Sequence, residues 1–334
     1  MELRARIVDL RLAETFVIAR ESQDVAQVVQ VELVHDGAVG RGEAAPIERY
    51  DETAESALAF LAEHGGLVGD DPFALEEVEG RLREVPGELA AKSAVDAALH
   101  DLQGKLLGVP TWRLLGLPRT GPPTSWTVWL GDPDDMARRA ERAATRFRRL
   151  KLKLGGGDGL DVERVRSVRG VTALPLMVDV NEWWALDEAL AACEELAALG
   201  VEYVEQPLRA GDPGGEELRR RSPLPVYVDE DCHTLADVAA CAAIAHGVNV
   251  KLAKSGGIRE GIRIAHAARA LGLGVMLGCM VESGLGIAAG CCVAPLCDHV
   301  DLDGNLLLAD DPCPGVAFVD GVQVPADAPG LGAG

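Results

Sequence analysis

The sequence predicts an α/β chain organised as a modified TIM (β/α) barrel, with an N-terminal α+β capping domain that the C-terminal segment completes. Three observations lead there. Between residues 151 and 303, short apolar runs end one after another on a lysine or a carboxylate: Lys151 and Lys153, Asp179, Glu205, Asp229, Lys251, then Asp301 with Asp303. From Lys153 to Lys251 these ends lie roughly 22 to 28 residues apart, about one strand plus a return helix and two short loops. Ahead of them, strands precede helices, which describes an α+β unit and not a βαβ repeat. A charge closing a buried strand is costly without a partner. Around a closed parallel barrel, however, all such ends converge on one mouth.

Taken in order, RARIVDLRL and VAQVVQVELVHDG read as strands, the second ending in a turn at Asp36-Gly37, and GRGEAAP through Pro46 reads as a loop. From about Thr53 to Gly108 the pattern is helical and Ala-rich, with Ser93, Val95, Ala98 and Leu102 at helical spacing. The Pro/Gly-rich stretch Leu117 to Pro123 marks a boundary. Eight strands follow, centred near residues 126–130, 149–154, 176–180, 202–205, 226–229, 248–251, 274–278 and 299–301, with helices such as DDMARRAERAATRF between them. The expected division is a capping domain at 1–118, a barrel at 119–304 and a closing segment at 305–334. That last segment holds the hairpin-like VAFVDGVQVP, expected to return to the N-terminal domain before a frayed Gly/Ala/Pro end.

With 334 residues, 48% apolar and 25% charged, the chain has room for one large barrel and a smaller domain. No apolar run approaches the roughly 18 residues that span a bilayer, and the charged, alternating MELRARIVDLRL is not a signal peptide, so a cytoplasmic protein is expected. The eight cysteines include no CxxC pair, and adjacent Cys291 and Cys292 suit a buried helix; all are expected to be reduced core thiols. A net charge of −21 argues against nucleic acid and anionic membranes as partners. It also makes the lysines at 151–153 and 251–254 stand out.

Asp179, Glu205 and Asp229 close three successive strands. One such acid is ordinarily a helix cap or an ion pair, but three in succession point to a metal. Oxygen ligands without His or Cys suit Mg²⁺, or Mn²⁺ as a substitute, and disfavour zinc. Asn181 and Glu230 stand close enough to back the ligands. Lys151 and Lys153 are two apart on a strand and share a face, so mutual repulsion and a nearby cation should lower their pKa values and suit them to take a proton beside a carboxylate. Lys251, on the sixth strand, lies across the barrel from the second. Two bases on opposite faces of one carbon make a geometry for 1,1-proton transfer; the plainer reading is that these lysines only pair with the acids.

KLKLG, VDVN, VEQPL, VDED, VKLAKSGG and GCMVES, in this order, resemble the enolase superfamily and, within it, the muconate lactonizing enzyme subgroup. The resemblance covers essentially the whole chain, including GRGEAAPIERYDET, which looks like the capping domain. It implies one Mg²⁺ per subunit on Asp179, Glu205 and Asp229, with Lys153 and Lys251 as the acid/base pair and Lys151 near the substrate carboxylate. Lys251 ends the strand, and Lys254 is assigned to the loop beyond it. Asp301-Leu302-Asp303 resembles the dipeptide epimerases, where such a pair holds a free α-ammonium; a cation with three donors does want carboxylates this close. The plainer reading is a solvated turn. The implied activity is a dipeptide epimerase acting at the α-carbon of the C-terminal residue through an enediolate. The alternatives on the same scaffold are N-succinylamino acid racemisation, o-succinylbenzoate synthesis and cycloisomerisation.

Among the remaining candidates, Arg20 lies in TFVIARESQDVA, a loop that closes over the site in this family, and meets either an acidic substrate side chain or solvent. Trp183 and Trp184 are expected to wall the metal site, which would suit apolar or cationic side chains. Met280, Glu282 and Ser283 close the seventh strand and are candidate substrate contacts, while Glu43 reads as structural. GGGDG at 155–159 matches no phosphate or dinucleotide motif. His233, His266 and His299 lack metal-like spacing and read as loop or core residues. A scaffold protein without activity would have lost a ligand or a base, and all five are present. A small-molecule substrate and self-association into a homo-oligomer complete the expectation.

Overall fold

In the computed structural model, which describes residues 1–333, the chain opens with an antiparallel sheet of β1 (Glu2–Val17), β2 (Ser22–His35) and β3 (Ala38–Ala44). The β2–β3 turn places Asp36 and Gly37 at φ 48° and 80°, the left-handed pair that a tight hairpin needs. The β1 register slips between Arg11 and Phe16, and only Ile18–Glu21 remains as loop. The segment GRGEA was expected to be loop and is strand β3 instead. Its glycines serve close approach: a Cβ at Gly40 or Gly42 would collide with the Ala98 or Ala94 carbonyl of a crossing helix, a use of strand glycine that composition alone reads as a breaker.

Helices α1 (Ala54–His64), α2 (Leu75–Arg83) and α3 (Leu89–Leu107) cover that sheet. Val29, Val31 and Leu33 bury against Ala91, Ala94, Ala98 and Leu102 in one core. Asp101 of α3, fully buried, accepts from the Arg41 and Leu331 backbone N–H groups and from Lys105 Nζ, each at 2.7 Å. One carboxylate thus ties β3, α3 and the chain's last residues together.

After the one-turn helix α4 (Thr111–Leu114) the barrel strands run parallel in chain order: β4 (Trp126–Val128), β5 (Leu150–Lys153), β6 (Leu176–Asp179), β7 (Val201–Glu205), β8 (Val226–Val228), β9 (Gly247–Lys251), β10 (Gly274–Gly278) and β11 (His299–Asp301). The ring closes through the Thr124–Val300 bridge and the Ser125 N–H to Val300 carbonyl bond. Outside lie α5 (Pro133–Ala143), α6 (Asp161–Val171), α7 (Leu186–Ala198), α8 (Gly215–Arg221), α9 (Val238–Ile244), α10 (Leu252–Ser255), α11 (Ile258–Ala270) and α12 (Gly284–Val293). Met177, Tyr203, Tyr227 and Met276 fill the barrel floor, as inward side chains of a small barrel must.

The hairpin β12 (Val316–Val319) and β13 (Val322–Pro325) lies mostly on the barrel. Phe318 packs 4.8 Å from Phe147, and Gln323 donates to the Leu302 carbonyl at 2.9 Å. The residues beyond it reach the N-terminal half, with Gly330 bonded to Val109 and Thr111. Arg259 and Arg263 of α11 meet Glu76 and Glu79 of α2 in a further seam. All eight cysteines are free thiols, and no described helix is long and apolar enough to cross a membrane.

Candidate active site

The pleat decides what enters the barrel mouth. In β5, Leu150 and Leu152 pack outward against the helices while Lys151 and Lys153 turn inward. The register sets Lys153 beside Asp179 and Asp179 beside Glu205. Across the ring it sets Lys251 beside Gly278 and Gly278 beside Asp301. Glycine is needed at 278, because a Cβ there would stand 2.9 Å from the Asn249 amide and 3.1 Å from Lys251 Cε.

The charged side chains form one connected set. Lys151 Nζ lies 2.8 Å from Asp301 Oδ2, 2.8 Å from Glu205 Oε2 and 3.1 Å from Asp179 Oδ2. Lys153 Nζ donates to Asp179 Oδ2 at 2.6 Å and to Asn181 Oδ1 at 3.2 Å. Lys251 Nζ is 2.7 Å from Asp229 Oδ2, and Asn249 Nδ2 donates to Glu205 Oε1 at 2.7 Å. Asp179, Glu205 and Asp229 are 0, 0 and 1% exposed. Among the described residues, no three His, Cys, Asp or Glu side chains are gathered closely enough to enclose an ion as they stand; ammonium groups stand between the acids.

Those contacts outweigh the repulsion expected at Lys151. Burial alone would lower Lys151, but Asp301, Glu205 and Asp179 hold it well above the usual lysine value, and Asp229 does the same for Lys251. Repulsion between neighbouring lysines is outweighed because acids arrive from other strands. Burial would raise Asp179 and Asp229, yet Lys153 with Lys151, and Lys251 with Lys254, hold both below the ordinary carboxylate range. Glu205 goes the other way: burial and the Asp179 charge push it up despite Lys151. Its Oε2 is 2.8 Å from Lys151 Nζ but lacks the angle of a hydrogen bond, so that buried oxygen has no donor.

Lys254, expected in a loop, belongs to α10 and is fully buried. It donates to Asp229 Oδ1 at 2.6 Å and to the Asp229 carbonyl. Trp184, expected as a wall, is buried and turned away, its Nε1 donating to Asp161 at 2.9 Å; Trp183 is 47% exposed over the Gly155–Gly157 turn. Ser283 caps α12 and donates its N–H and Oγ–H to Glu43, so its side chain joins two structural elements. Glu282 accepts from the N–H of half-buried Met280 at 2.9 Å, and burial raises its carboxyl to about 7. Asp301 accepts from Ser125 Oγ at 2.6 Å as well as from Lys151, and Asp303 accepts from the Thr127 N–H at 2.6 Å. Burial, then the Asp301 charge, pushes Asp303 up to about 7. The pair is therefore buried and is not a solvated turn. His233 packs edge-on against Tyr50, His299 lies against the floor tyrosines, and His266 is exposed on α11.

At the rim, Arg20 Nη1 donates to Glu230 Oε1 at 2.8 Å, Glu182 Oε2 at 3.0 Å and the Asn181 carbonyl at 3.2 Å. Burial, then the Asp229 and Asp179 charges, raises Glu230 to about 7. Sequence reasoning passed over Gln206, whose Oε1 accepts from the Asp229 and Glu230 N–H groups at 2.8 and 3.0 Å, and Asn249, Glu182 and Arg49. Gln206 was visible in VEQP as the residue after an acid; the other three carry no local signal.

Comparison with known proteins agrees with this architecture. Residues 2–116 match the mandelate racemase/muconate lactonizing enzyme N-terminal domain, and residues 135–334 match the enolase C-terminal domain-like family. The chain is 38% identical over 333 residues to L-Ala-D/L-Glu epimerase of Bacteroides thetaiotaomicron, covering 97% of this chain and 85% of that protein. The dipeptide epimerase of Enterococcus faecalis, solved with Mg and the dipeptide L-Leu-L-Tyr, superposes with a TM-score of 0.95 at 29% identity, covering 99% and 98% of the two chains. The N-succinyl Arg/Lys racemase of Bacillus cereus gives 0.94 at 28%, covering 100% and 95%. With both halves matched and the barrel mouth built as described, the chain belongs to the mandelate racemase/muconate lactonizing enzyme family of the enolase superfamily.

Proposed function

We propose that this protein is a Mg²⁺-dependent dipeptide epimerase that moves the α-proton of the C-terminal residue of an L,L-dipeptide from one face of the carbon to the other. The observation that carries the reading is the placement of Lys153 and Lys251. They close the second and sixth strands of an eight-strand ring, diametrically opposed, and each is paired to a different acid. The names and bound dipeptide of the Bacteroides and Enterococcus relatives support the same reaction and cofactor.

Asp179, Glu205 and Asp229 fit Mg²⁺ by donor chemistry: they offer only oxygen, they are buried, and Glu205 Oε2 has no donor of its own. A divalent cation held there would compete with the lysine ammoniums for the same oxygens. Bound Mg²⁺ supplies positive charge against the negative charge that develops on the substrate carboxylate as the proton leaves. Lys153, as the neutral amine, takes the proton on one face while Lys251, as the ammonium, returns one on the other, and the reverse reaction exchanges their parts. Lys151, held by Asp301, keeps a fixed positive charge beside the substrate carboxylate. Asn181 holds Lys153, and Glu230 holds Arg20, which faces the substrate side chain along with Met280 and Glu282. Ser283 acts only through Glu43. Asp303 with Asp301 receives the α-ammonium.

A second reading, racemisation of N-acylamino acids, is favoured by one feature: both oxygens of Asp301 already have donors in Ser125 and Lys151. Incubating the Mg²⁺-loaded protein in D₂O with pooled L,L-dipeptides, and following the α-proton signals by NMR, separates the two. Exchange at the C-terminal residue carries the epimerase; exchange only in N-succinylamino acids assigns the second reading. We assign the chemistry to 119–304, the cover to 1–118 and the closing role to 305–334. The free thiols support a cytoplasmic protein, and light scattering would give the subunit number of the homo-oligomer we expect.

A further inference from the structure

We infer that Glu182 is a positioning residue, a clamp that holds two segments of the N-terminal half over the barrel mouth. Its side chain is only 8% exposed and accepts four hydrogen bonds. Oε1 takes the Arg49 Nη2 at 2.7 Å and the Ala210 N–H at 2.9 Å, while Oε2 takes Arg49 Nε at 2.8 Å and Arg20 Nη1 at 3.0 Å. One carboxylate therefore joins the Arg20 turn between β1 and β2, the short helical turn Glu48–Tyr50, the loop after β6 and the loop after β7. The Arg49 contact uses both carboxylate oxygens, the geometry that gives an arginine pair its directional strength.

The backbone is bent to make this possible. Asn181 and Glu182 are consecutive residues at φ 49° and 70°. Asparagine tolerates the left-handed region, but glutamate adopts it at a cost that surrounding contacts must offset. The Glu182 N–H is anchored on the Gln206 carbonyl at 2.8 Å. The turn sends Asn181 inward to Lys153 Nζ and Glu182 outward to the two arginines. The clamp and the holder of one proposed base are thus adjacent residues of one turn, three residues or fewer beyond Asp179. Next to Arg49, Tyr50 packs edge-on against His233 with ring centroids 4.4 Å apart, which seats the same turn against the loop after β8.

The test is Glu182→Gln, which removes the charge at constant size, read by hydrogen–deuterium exchange of the unliganded protein. Backbone exchange in 18–21 and 48–52 should rise about tenfold, with β6 and α7 unchanged. Glu182→Asp, which keeps the charge, should restore part of the protection. For the dipeptide reaction, which rests on the function proposed above, KM should rise about tenfold with kcat within about threefold. The exchange readout needs no substrate, so an inactive wild type would overturn the proposed reaction and leave the clamp decided on its own. If Glu182→Gln does not fold, Arg49→Gln and Arg20→Gln replace it, each expected to loosen only its own segment. Wild-type exchange in both segments of a folded Glu182→Gln protein overturns the inference. So does loosening that spreads through β6 and α7 with KM unmoved.

Discussion

Asp229 holds two ammonium groups at once, one on each oxygen, and this sharing is measurable as a failure of additivity. Lys251 Nζ stands 2.7 Å from Oδ2 and Lys254 Nζ 2.6 Å from Oδ1, with side chains 10% and 0% exposed. Replacing Lys254 by Met leaves Asp229 still paired to Lys251. The loss is then about one hydrogen bond to a charged group, about 1.5–3 kcal/mol, plus part of a carbonyl left without its donor. Buried methionine atoms offset some of this, so about 2–3 kcal/mol is expected. Lys251→Met should cost about 1–2 kcal/mol, because that side chain is less completely buried and leaves the carbonyl satisfied. The double variant strands a buried carboxylate with no cation, a situation worth a further loss of about 3 kcal/mol beyond the sum.

The assay is calorimetric melting of the four proteins in chelator at neutral pH, where each kcal/mol moves the midpoint by about 1–2 °C in a chain this long. Acidification should shrink the coupling, since protonating Asp229 removes the stranded charge. Under the metal assignment proposed above, saturating Mg²⁺ should shrink it too, because an ion held by Asp229 would replace the missing lysines. Additivity within about 0.5 kcal/mol at neutral pH would refute the shared-carboxylate account.

Three further outcomes follow from single contacts. Gly42→Ala drives a Cβ into the Ala94 carbonyl and should cost about 2–4 kcal/mol in melting experiments, while Gly66→Ala, with nothing within 4 Å, should be near neutral. Asp303→Asn should slow turnover of free-amino dipeptides about a hundredfold and spare N-acylated substrates; equal loss on both would remove its assignment to the ammonium. Glu79 tends upward through burial, but Arg263, Arg259 and Arg83 hold it down to about 2. A depressed carboxyl contributes stability above its unfolded value of about 4.5. That contribution is lost as pH falls from there toward about 2. After allowance for solvent screening, the wild type should lose about 1 kcal/mol more than Glu79→Gln over that window, read from melting midpoints.

The fold was legible because its signal is periodic. Eight apolar runs at regular spacing predict eight strands, and each was found within a few residues of its expected centre. Gly40 and Gly42 misled for the opposite reason: a glycine's meaning depends on what crosses it, and the crossing helix lies some 50 residues away in the chain. Arg259 and Arg263 likewise carry no local hint that Glu76 and Glu79 await them.

The gathering of charged strand ends at one mouth was legible because barrel topology brings strand ends together whatever their sequence. Residues one turn beyond were not. Lys254 is three residues past Lys251, and only the short helix α10 turns it back onto Asp229 instead of out into solvent. Trp183 and Trp184 are adjacent, yet the left-handed turn at Asn181 and Glu182 exposes the first and buries the second. The repulsion expected at Lys151 misled for the same reason. Along the chain the nearest charges to Lys151 are Arg149 and Lys153, both two residues away and both positive, so sequence distance predicts repulsion. In the barrel the neighbours of Lys151 are Asp179, Glu205 and Asp301, which are 28, 54 and 150 residues away. At contact distance and under full burial, three acids outweigh one like charge on the same strand. Which charge dominates a barrel mouth is set by the order of strands around the ring, and a reading confined to one strand at a time sees only the repulsion.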